Sequence, residues 1–203
     1  MHIPKTGGNC VLATLKDAPV LATGHGSVQR SIDRMAKPLR QAGLNWDKVY
    51  KFSFIRNPWD RMVSWYYHSC SADRQDWEPE QHYEHFRDWI CYKGLRGLVT
   101  TTPKLALTLY NGILVPDFVG QYEHMERDLA HVADELSITP AVIALSNPGK
   151  NRPAWARDFK PFYDRRCDSI IVATADWEIA TFRYSRDDEP TPAPVERPLV
   201  RPA

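Results

Sequence analysis

Several features that would assign a protein to a common class are missing from this 203-residue sequence. No apolar run approaches the roughly 20 residues that a membrane-spanning helix needs, so we expect no membrane span. The formal net charge is only +1, from 26 basic and 25 acidic side chains, so no overall field favours nucleic acid or a membrane surface. Any binding of an anion must therefore be local.

Signatures of disulfides, metal centres and export are also missing. The four cysteines show neither C-x-x-C spacing nor the histidine pairing of a zinc finger, so we expect reduced, mostly buried thiols and no metal: Cys10, Cys70, Cys91 and Cys167. Neither a signal peptide nor an anchoring helix precedes the first motif, and this predicts a cytoplasmic protein.

The sequence between residues 51 and 67, KFSFIRNPWDRMVSWYY, predicts a strand, a turn and a capped helix in succession. A short apolar strand ends at Ile55, and Pro58 suits the first turn of a helix because proline lacks a backbone N–H. Asn57 is then the natural N-cap residue. The strand therefore leads directly into a helix N-terminus.

Arg56 lies at this predicted helix N-terminus, and Ser64 lies two turns into the helix. A guanidinium group, a hydroxyl and unpaired backbone N–H groups together favour a phosphate site. The residues alone leave an alternative open, in which Arg56 pairs with a carboxylate such as that of Asp60 and Ser64 merely packs.

The first ten residues, MHIPKTGGNC, predict a second strand, loop and helix. Gly7 and Gly8 allow the backbone to fold closely around an anion, while Lys5 supplies a positive charge and Thr6 a hydroxyl beside the next helix. Two anion sites in one small domain indicate a doubly phosphorylated ligand.

A P-loop nucleotide-dependent, kinase-like phosphotransferase is an alternative, because it also places a lysine and a threonine on such a loop. That class needs the arrangement G-x-x-x-x-G-K-[ST], which is absent here, since the glycines follow the Lys-Thr pair. Arg56 also stands where an acidic magnesium ligand would close the strand. The kinase-like interpretation therefore takes second place.

The two motifs resemble those of the sulfotransferases that use 3′-phosphoadenosine 5′-phosphosulfate (PAPS), and within them the carbohydrate sulfotransferase branch. Residues 2–8, HIPKTGG, are similar to the 5′-phosphosulfate loop of that branch, and residues 54–64, FIRNPWDRMVS, to its 3′-phosphate motif. Weaker similarity extends through residues 118–123, FVGQYE, to the region of Tyr184.

The resemblance implies a P-loop-like, mainly parallel α/β sheet flanked by helices, the sulfotransferase fold. It also implies transfer of a sulfuryl group from PAPS to an acceptor hydroxyl, on an oligosaccharide or polysaccharide. Lys5 and Thr6 would hold the 5′-phosphosulfate together with the rest of the loop, and Arg56 and Ser64 the 3′-phosphate. The loop includes Gly7, Gly8, Asn9 and Cys10, with Asn9 where the family usually has Thr or Ser and Cys10 where it often has another hydroxyl.

His25 is the candidate general base. It lies between Gly24 and Gly26, after a strand predicted for Pro19–Thr23, and a loop histidine has a pKa suited to removing a hydroxyl proton. The resembled family uses a histidine in a similar setting, with no metal required. Lys5 would then stabilise negative charge on the leaving phosphate oxygen. The alternative is that His25 only hydrogen-bonds within a tight turn.

A basic loop, SNPGKNRP at residues 146–153, contributes two further cofactor candidates, Lys150 and Arg152. Basic loops fold over the nucleotide in related sulfotransferases, while a merely solvated loop is equally consistent with the residues. A non-catalytic PAPS-binding protein is the third alternative, because it would carry the same donor residues without turnover.

The rest of the chain completes the prediction of one α/β domain over residues 1–186. Apolar periodicity predicts a strand over 117–122 and helices over 9–16, 28–41, 80–93 and 125–136, with one long or two short helices over 158–184. Residues 187–203 are dense in proline and lack periodicity, which predicts an extended tail.

Overall fold

The computed structural model describes residues 1, 3–16, 18–70, 74, 76–95, 103–109, 112–138 and 152–187. Lys150 and the tail from residue 188 lie outside these residues. The described residues divide into two compact units. Unit 1 comprises those within 1–55 and 101–146, and unit 2 comprises those within 56–100 and 147–191.

Helices dominate the described part of the chain. Unit 1 contains α1 (Gly8–Thr14), α2 (Val28–Gln41), β1 (Phe52–Ile55), α5 (Pro103–Leu107), β2 (Phe118–Gln121) and α6 (Met125–Glu135). Unit 2 contains α3 (Pro58–Cys70), α4 (Pro79–Leu95), α7 (Arg165–Thr174) and α8 (Asp176–Phe182). No helix among these residues has the length and apolar character needed to cross a bilayer.

The sheet of unit 1 consists of β1 and β2, which run parallel with Phe52 opposite Phe118 and Ile55 opposite Gln121. Both strands are largely apolar and nearly all of their residues are buried, as is typical of a parallel sheet whose two faces are covered. Phe54 and Phe118 pack with side chains of α1 and α6 in one buried cluster, which includes Val11. This confirms the α/β class and the parallel pairing.

The strand predicted for Pro19–Thr23 is wrong, because these residues form no ladder in the structure. Pro19 has no N–H to donate, and the carbonyl of Thr23 accepts a hydrogen bond from Arg34 Nη1 at 2.9 Å, so that a side chain rather than a strand satisfies it. In the strand expected before Lys5, His2 lies outside the described residues, and neither Met1 nor Ile3 is part of a strand. Ile3 is buried, but its carbonyl accepts the Thr6 hydroxyl within a turn.

Local signals placed most helices correctly. The helix predicted for 28–41 is α2, and the Ser27 side chain accepts the Arg30 N–H as its N-cap. The 158–184 region forms the two short helices α7 and α8, and the Asp164 carboxylate caps α7 by accepting the Cys167 N–H.

An aromatic core holds unit 2 together. Tyr66 of α3 lies edge to face with Phe86 of α4, and Phe162 packs against the same rings. All three side chains are fully buried. Arg61 and Glu178 form an ion pair of 3.4 Å in the same unit, with both side chains only 3% exposed. Large apolar contacts therefore fix α3, whose first turn carries the candidate arginine site.

Candidate functional site

The Lys5 loop of unit 1 has an uncommon backbone. Lys5 has φ 65° and Gly7 has φ 82°, and non-glycine residues rarely adopt such left-handed values. The Thr6 hydroxyl donates to the Ile3 carbonyl at 2.9 Å, and the Thr6 side chain is buried. The loop is thus a tight turn that the buried Thr6 side chain stabilises, and Lys5 is partly exposed on it.

Gly7 is required by both conformation and space. A Cβ at this position would lie 2.5 Å from Met125 Cε and 2.9 Å from the Tyr122 ring. Gly8 begins α1, where Asn9 is exposed to solvent, whereas the Cys10 side chain is buried in the core. The Cys10 N–H donates to the Gly7 carbonyl at 2.8 Å, so this amide already serves the start of the helix.

His25 is exposed on the loop between the segment 18–23 and α2. Arg34 anchors this loop, since its Nη1 donates to the carbonyls of Thr23 at 2.9 Å and of His25 at 3.2 Å. Gly24 has φ 70° and a Cβ there would lie 2.6 Å from the same Arg34 nitrogen. The backbone around the imidazole is therefore fixed while its side chain faces solvent.

In unit 2, the start of α3 carries the second candidate group. The Asn57 side chain accepts the N–H groups of Trp59 at 3.0 Å and Asp60 at 3.4 Å, which confirms it as the N-cap. Arg56 contacts Asp60 Oδ2 through both Nε and Nη2 at 2.7 Å. The ion pair that the residues left open is formed, and Ser64 is buried two turns into the helix.

Arg152 lies on the other oxygen of the same carboxylate. Its Nη1 is 2.7 Å from Asp60 Oδ1, while Nε donates to the Ala156 carbonyl at 2.8 Å and Nη2 to the Arg157 carbonyl at 3.2 Å. The structure therefore brings two predicted cofactor residues, Arg56 and Arg152, onto one aspartate. Two cations share one anion beside a helix N-terminus, so the cluster carries an excess positive charge.

Other buried contacts hold this end of α3. Trp59 Nε1 donates to Asp168 at 2.8 Å, and the Tyr163 hydroxyl donates to the Trp59 carbonyl at 2.7 Å. The Asn57 amide donates to the Ser185 carbonyl at 3.0 Å. Because these partners come from residues more than 100 positions away, the first turn of α3 is rigidly placed within unit 2.

The sequence did not predict two features of the site, the contact between Arg152 and Asp60 and the buried amide of Gln121. Arg152 and Asp60 are 92 residues apart, so no local signal could have paired them. Gln121 ends β2 at 1% exposure, and its amide oxygen and nitrogen meet no hydrogen-bond partner among the residues that the structure describes. A polar residue at the carboxyl end of an apolar strand, where α/β sheets place their chemistry, was the available signal.

Two histidines lie against Tyr66 in unit 2. The Nδ1 atoms of His82 and His85 are 3.3 Å and 3.0 Å from the Tyr66 hydroxyl. Burial lowers the pKa of both imidazoles and raises the pKa of Tyr66 to about 12. Within the described ranges, no group of three potential ligands could hold a metal ion.

Comparison with protein families relates this chain to known proteins. The model of a family described as the sulfotransferase family matches residues 23–169, which is more than half of the chain. The matched range includes His25, Arg56, Ser64 and Arg152, and the Lys5 loop precedes it. No curated protein and no solved structure matches the chain.

Proposed function

Because the chain belongs to the sulfotransferase family, we propose that it transfers a sulfuryl group from PAPS to a hydroxyl of a carbohydrate acceptor, with His25 as general base. Family membership supports sulfuryl transfer in general. The donor, the acceptor class and the base are our proposals, and each one can be tested separately.

The observation that carries the proposal is the arginine pair on Asp60. Two guanidinium groups beside a capped helix N-terminus, with one carboxylate between them, suit a phosphate group better than a neutral ligand. We assign the 3′-phosphate of PAPS to Arg56, Arg152 and Ser64. Lys150 is proposed as a further cofactor residue, although it lies outside the described residues.

We assign the 5′-phosphosulfate to the Lys5 loop of unit 1. Lys5 offers an ammonium group on a backbone with two left-handed residues, a conformation that points successive N–H groups toward an anion. Thr6, Gly7, Gly8, Asn9 and Cys10 complete the proposed donor loop. Thr6 donates its one hydroxyl proton to the Ile3 carbonyl, so its contribution to the anion would be through its backbone N–H.

In the proposed reaction the acceptor oxygen forms a bond to sulfur while the bond from sulfur to the bridging phosphate oxygen breaks. His25 accepts the proton of the acceptor hydroxyl, and the electron pair of the broken bond stays on the 5′-phosphate of the product. Lys5 stabilises this developing charge. The products are a sulfate ester and 3′-phosphoadenosine 5′-phosphate (PAP).

Calorimetry with PAP, AMP and ADP tests the donor. We expect PAP to bind at least tenfold more tightly than AMP, and Arg56→Ala to remove most of that preference, because charge-assisted hydrogen bonds contribute about 1.5–3 kcal/mol. Arg40→Ala, an exposed arginine of α2, is the matched control. Equal binding of PAP and ADP, with ADP binding enhanced by magnesium, would favour the kinase-like alternative instead.

Turnover with labelled PAPS and a panel of saccharides tests the chemistry. His25→Ala should lose most of the transfer rate while keeping its affinity for PAP, because the imidazole acts on the acceptor. Near-normal transfer by this variant would remove His25 as the base. Tight PAP binding by the wild-type protein without transfer to any acceptor would identify a non-catalytic PAPS-binding protein.

A further inference from the structure

Unit 1 contains a cavity of about 410 Å³ that is partly open to solvent. Most of its walls come from α1, the segment 18–23, α2 and the segment 42–52. The volume falls in the range of small-molecule sites, which is about 300–1,000 Å³. The cavity is therefore large enough for part of a ligand and is not a packing defect of one or two atoms.

The lining of this cavity is predominantly apolar. Val11, Val20 and Leu39 contribute buried or half-buried surface, and three leucines that line it are notably exposed, Leu12 at 40%, Leu21 at 56% and Leu44 at 47%. Single exposed leucines are ordinary, but three on one concavity form a continuous apolar surface in contact with water. Covering this surface would be favourable for an apolar ligand.

Three polar side chains of the lining already have hydrogen-bond or ion-pair partners. The Thr6 hydroxyl donates to Ile3, the Thr23 hydroxyl donates to Gly24 at 3.3 Å, and Lys51 Nζ contacts the Val49 carbonyl at 2.7 Å and Asp117 at 3.1 Å. A sugar inside the cavity would leave several hydroxyls without partners, which is costly away from water. The interior thus suits an aliphatic chain and disfavours a sugar.

The cavity shares its walls with the groups to which we assign the chemistry. Thr6 and Gly8 belong to the proposed donor loop, and both line the cavity. Thr23 lines it as well, two residues before His25 on a loop that Arg34 anchors. A ligand that fills the cavity therefore borders residues of both loops within unit 1.

We propose that this cavity binds the aliphatic part of an amphipathic acceptor, a sugar carrying an alkyl or lipid chain. The inference rests on the proposed function and narrows its substrate class. The chain occupies the apolar interior, and the hydroxyl-bearing sugar stays in water outside it. The acceptor is thus anchored by its apolar part, which leaves its sugar hydroxyls available for reaction.

Binding to hexyl, octyl and decyl glucosides, each below its micelle concentration and without nucleotide, tests the cavity with the full chain. Affinity should rise by up to about fourfold for every buried methylene, and glucose itself should bind far more weakly. Leu21→Glu and Leu44→Glu should each weaken octyl glucoside binding at least tenfold. Val172→Glu of α7, 48% exposed and outside the cavity lining, is the matched control and should change nothing.

The outcomes separate this inference from the proposed function. An affinity independent of chain length, or equal behaviour of Leu21→Glu and Val172→Glu, overturns the cavity site even if PAP binds normally. The cavity site is also overturned if Leu21→Glu lowers the urea midpoint and leaves glucoside binding unchanged. Leu21 would then stabilise the fold by packing, and the cavity would be filled by the protein's own chain and not by the glucoside. Failure of PAP to bind refutes the proposed function, while glucoside binding is measured independently of it.

The last part of the test measures sulfuryl transfer to the two acceptors. With labelled PAPS, octyl glucoside should be sulfated more efficiently than glucose, and Leu21→Glu should raise the KM for octyl glucoside without changing the affinity for PAP. Equal sulfation of glucose and octyl glucoside by a protein that binds both PAP and the alkyl chain would overturn the assignment of the cavity to the acceptor.

Discussion

Replacing Asp60 by asparagine should destabilise the protein by about 2–4 kcal/mol in anion-free buffer. The substitution keeps the side-chain volume but removes a charge that lies 2.7 Å from both Arg56 and Arg152. The three side chains are only 14%, 10% and 7% exposed, so water compensates little for the lost pairs. Breaking buried ion pairs typically costs about 3–5 kcal/mol, and the slight exposure here lowers the expected value.

An anion should reverse much of this loss if the two arginines form a phosphate site. In Asp60→Asn the cluster loses the carboxylate that both guanidinium groups contact, and PAP can supply the missing negative charge. A ligand at about 100 times its dissociation constant stabilises the native state by about 2.7 kcal/mol. We therefore expect PAP to raise the stability of Asp60→Asn by more than it raises that of the wild type.

Urea denaturation followed by tryptophan fluorescence, with and without PAP, measures both effects. Glu178→Gln is the matched control, because it removes the carboxylate partner of another arginine in the same unit, Arg61, at only 3% exposure. PAP should raise the stability of Asp60→Asn by more than it raises that of this control, which keeps the Asp60 carboxylate. A loss below about 0.5 kcal/mol for Asp60→Asn, or the same PAP response in both variants, would refute a phosphate site at Arg56 and Arg152.

Three further predictions concern the scaffold. Gly120→Ala should cost about 1–3 kcal/mol in urea denaturation, because its Cβ would lie 2.5 Å from the buried ring of Phe54; a neutral result would contradict the packing of β1 on β2. Gly7→Ala should cost at least about 1–2 kcal/mol in the same assay, since its φ is 82°. The urea midpoint should fall as pH is lowered through 6.5, because the imidazoles of buried His82 and partly buried His85 have lowered pKa values and the unfolded chain binds protons more readily. Exchanging both histidines for glutamine should flatten this dependence, and an unchanged slope would exclude them as its source.

Short-range sequence patterns were sufficient to predict the helix over 28–41, the two parallel strands and the N-cap at Asn57. Each depends on residues close in sequence: Ser27 caps the helix start, and an apolar run followed by Asn-Pro ends β1 and begins α3. The Lys5 turn and the glycine at its end were also readable, because left-handed backbone and close packing at Gly7 favour a residue without a Cβ.

Only the tertiary structure determined which distant residues contact one another and which are buried. The meeting of Arg152 with Asp60 across 92 residues, and the burial of Gln121, depend on which surfaces pack and not on local propensity. The apolar segment 19–23 matches a strand pattern. In the structure, however, the Thr23 carbonyl accepts a hydrogen bond from the Arg34 side chain, and Leu21 is exposed beside a cavity. Local sequence determines backbone preference through nearest neighbours, whereas ion pairs and cavities depend on distant residues that only the folded chain brings together.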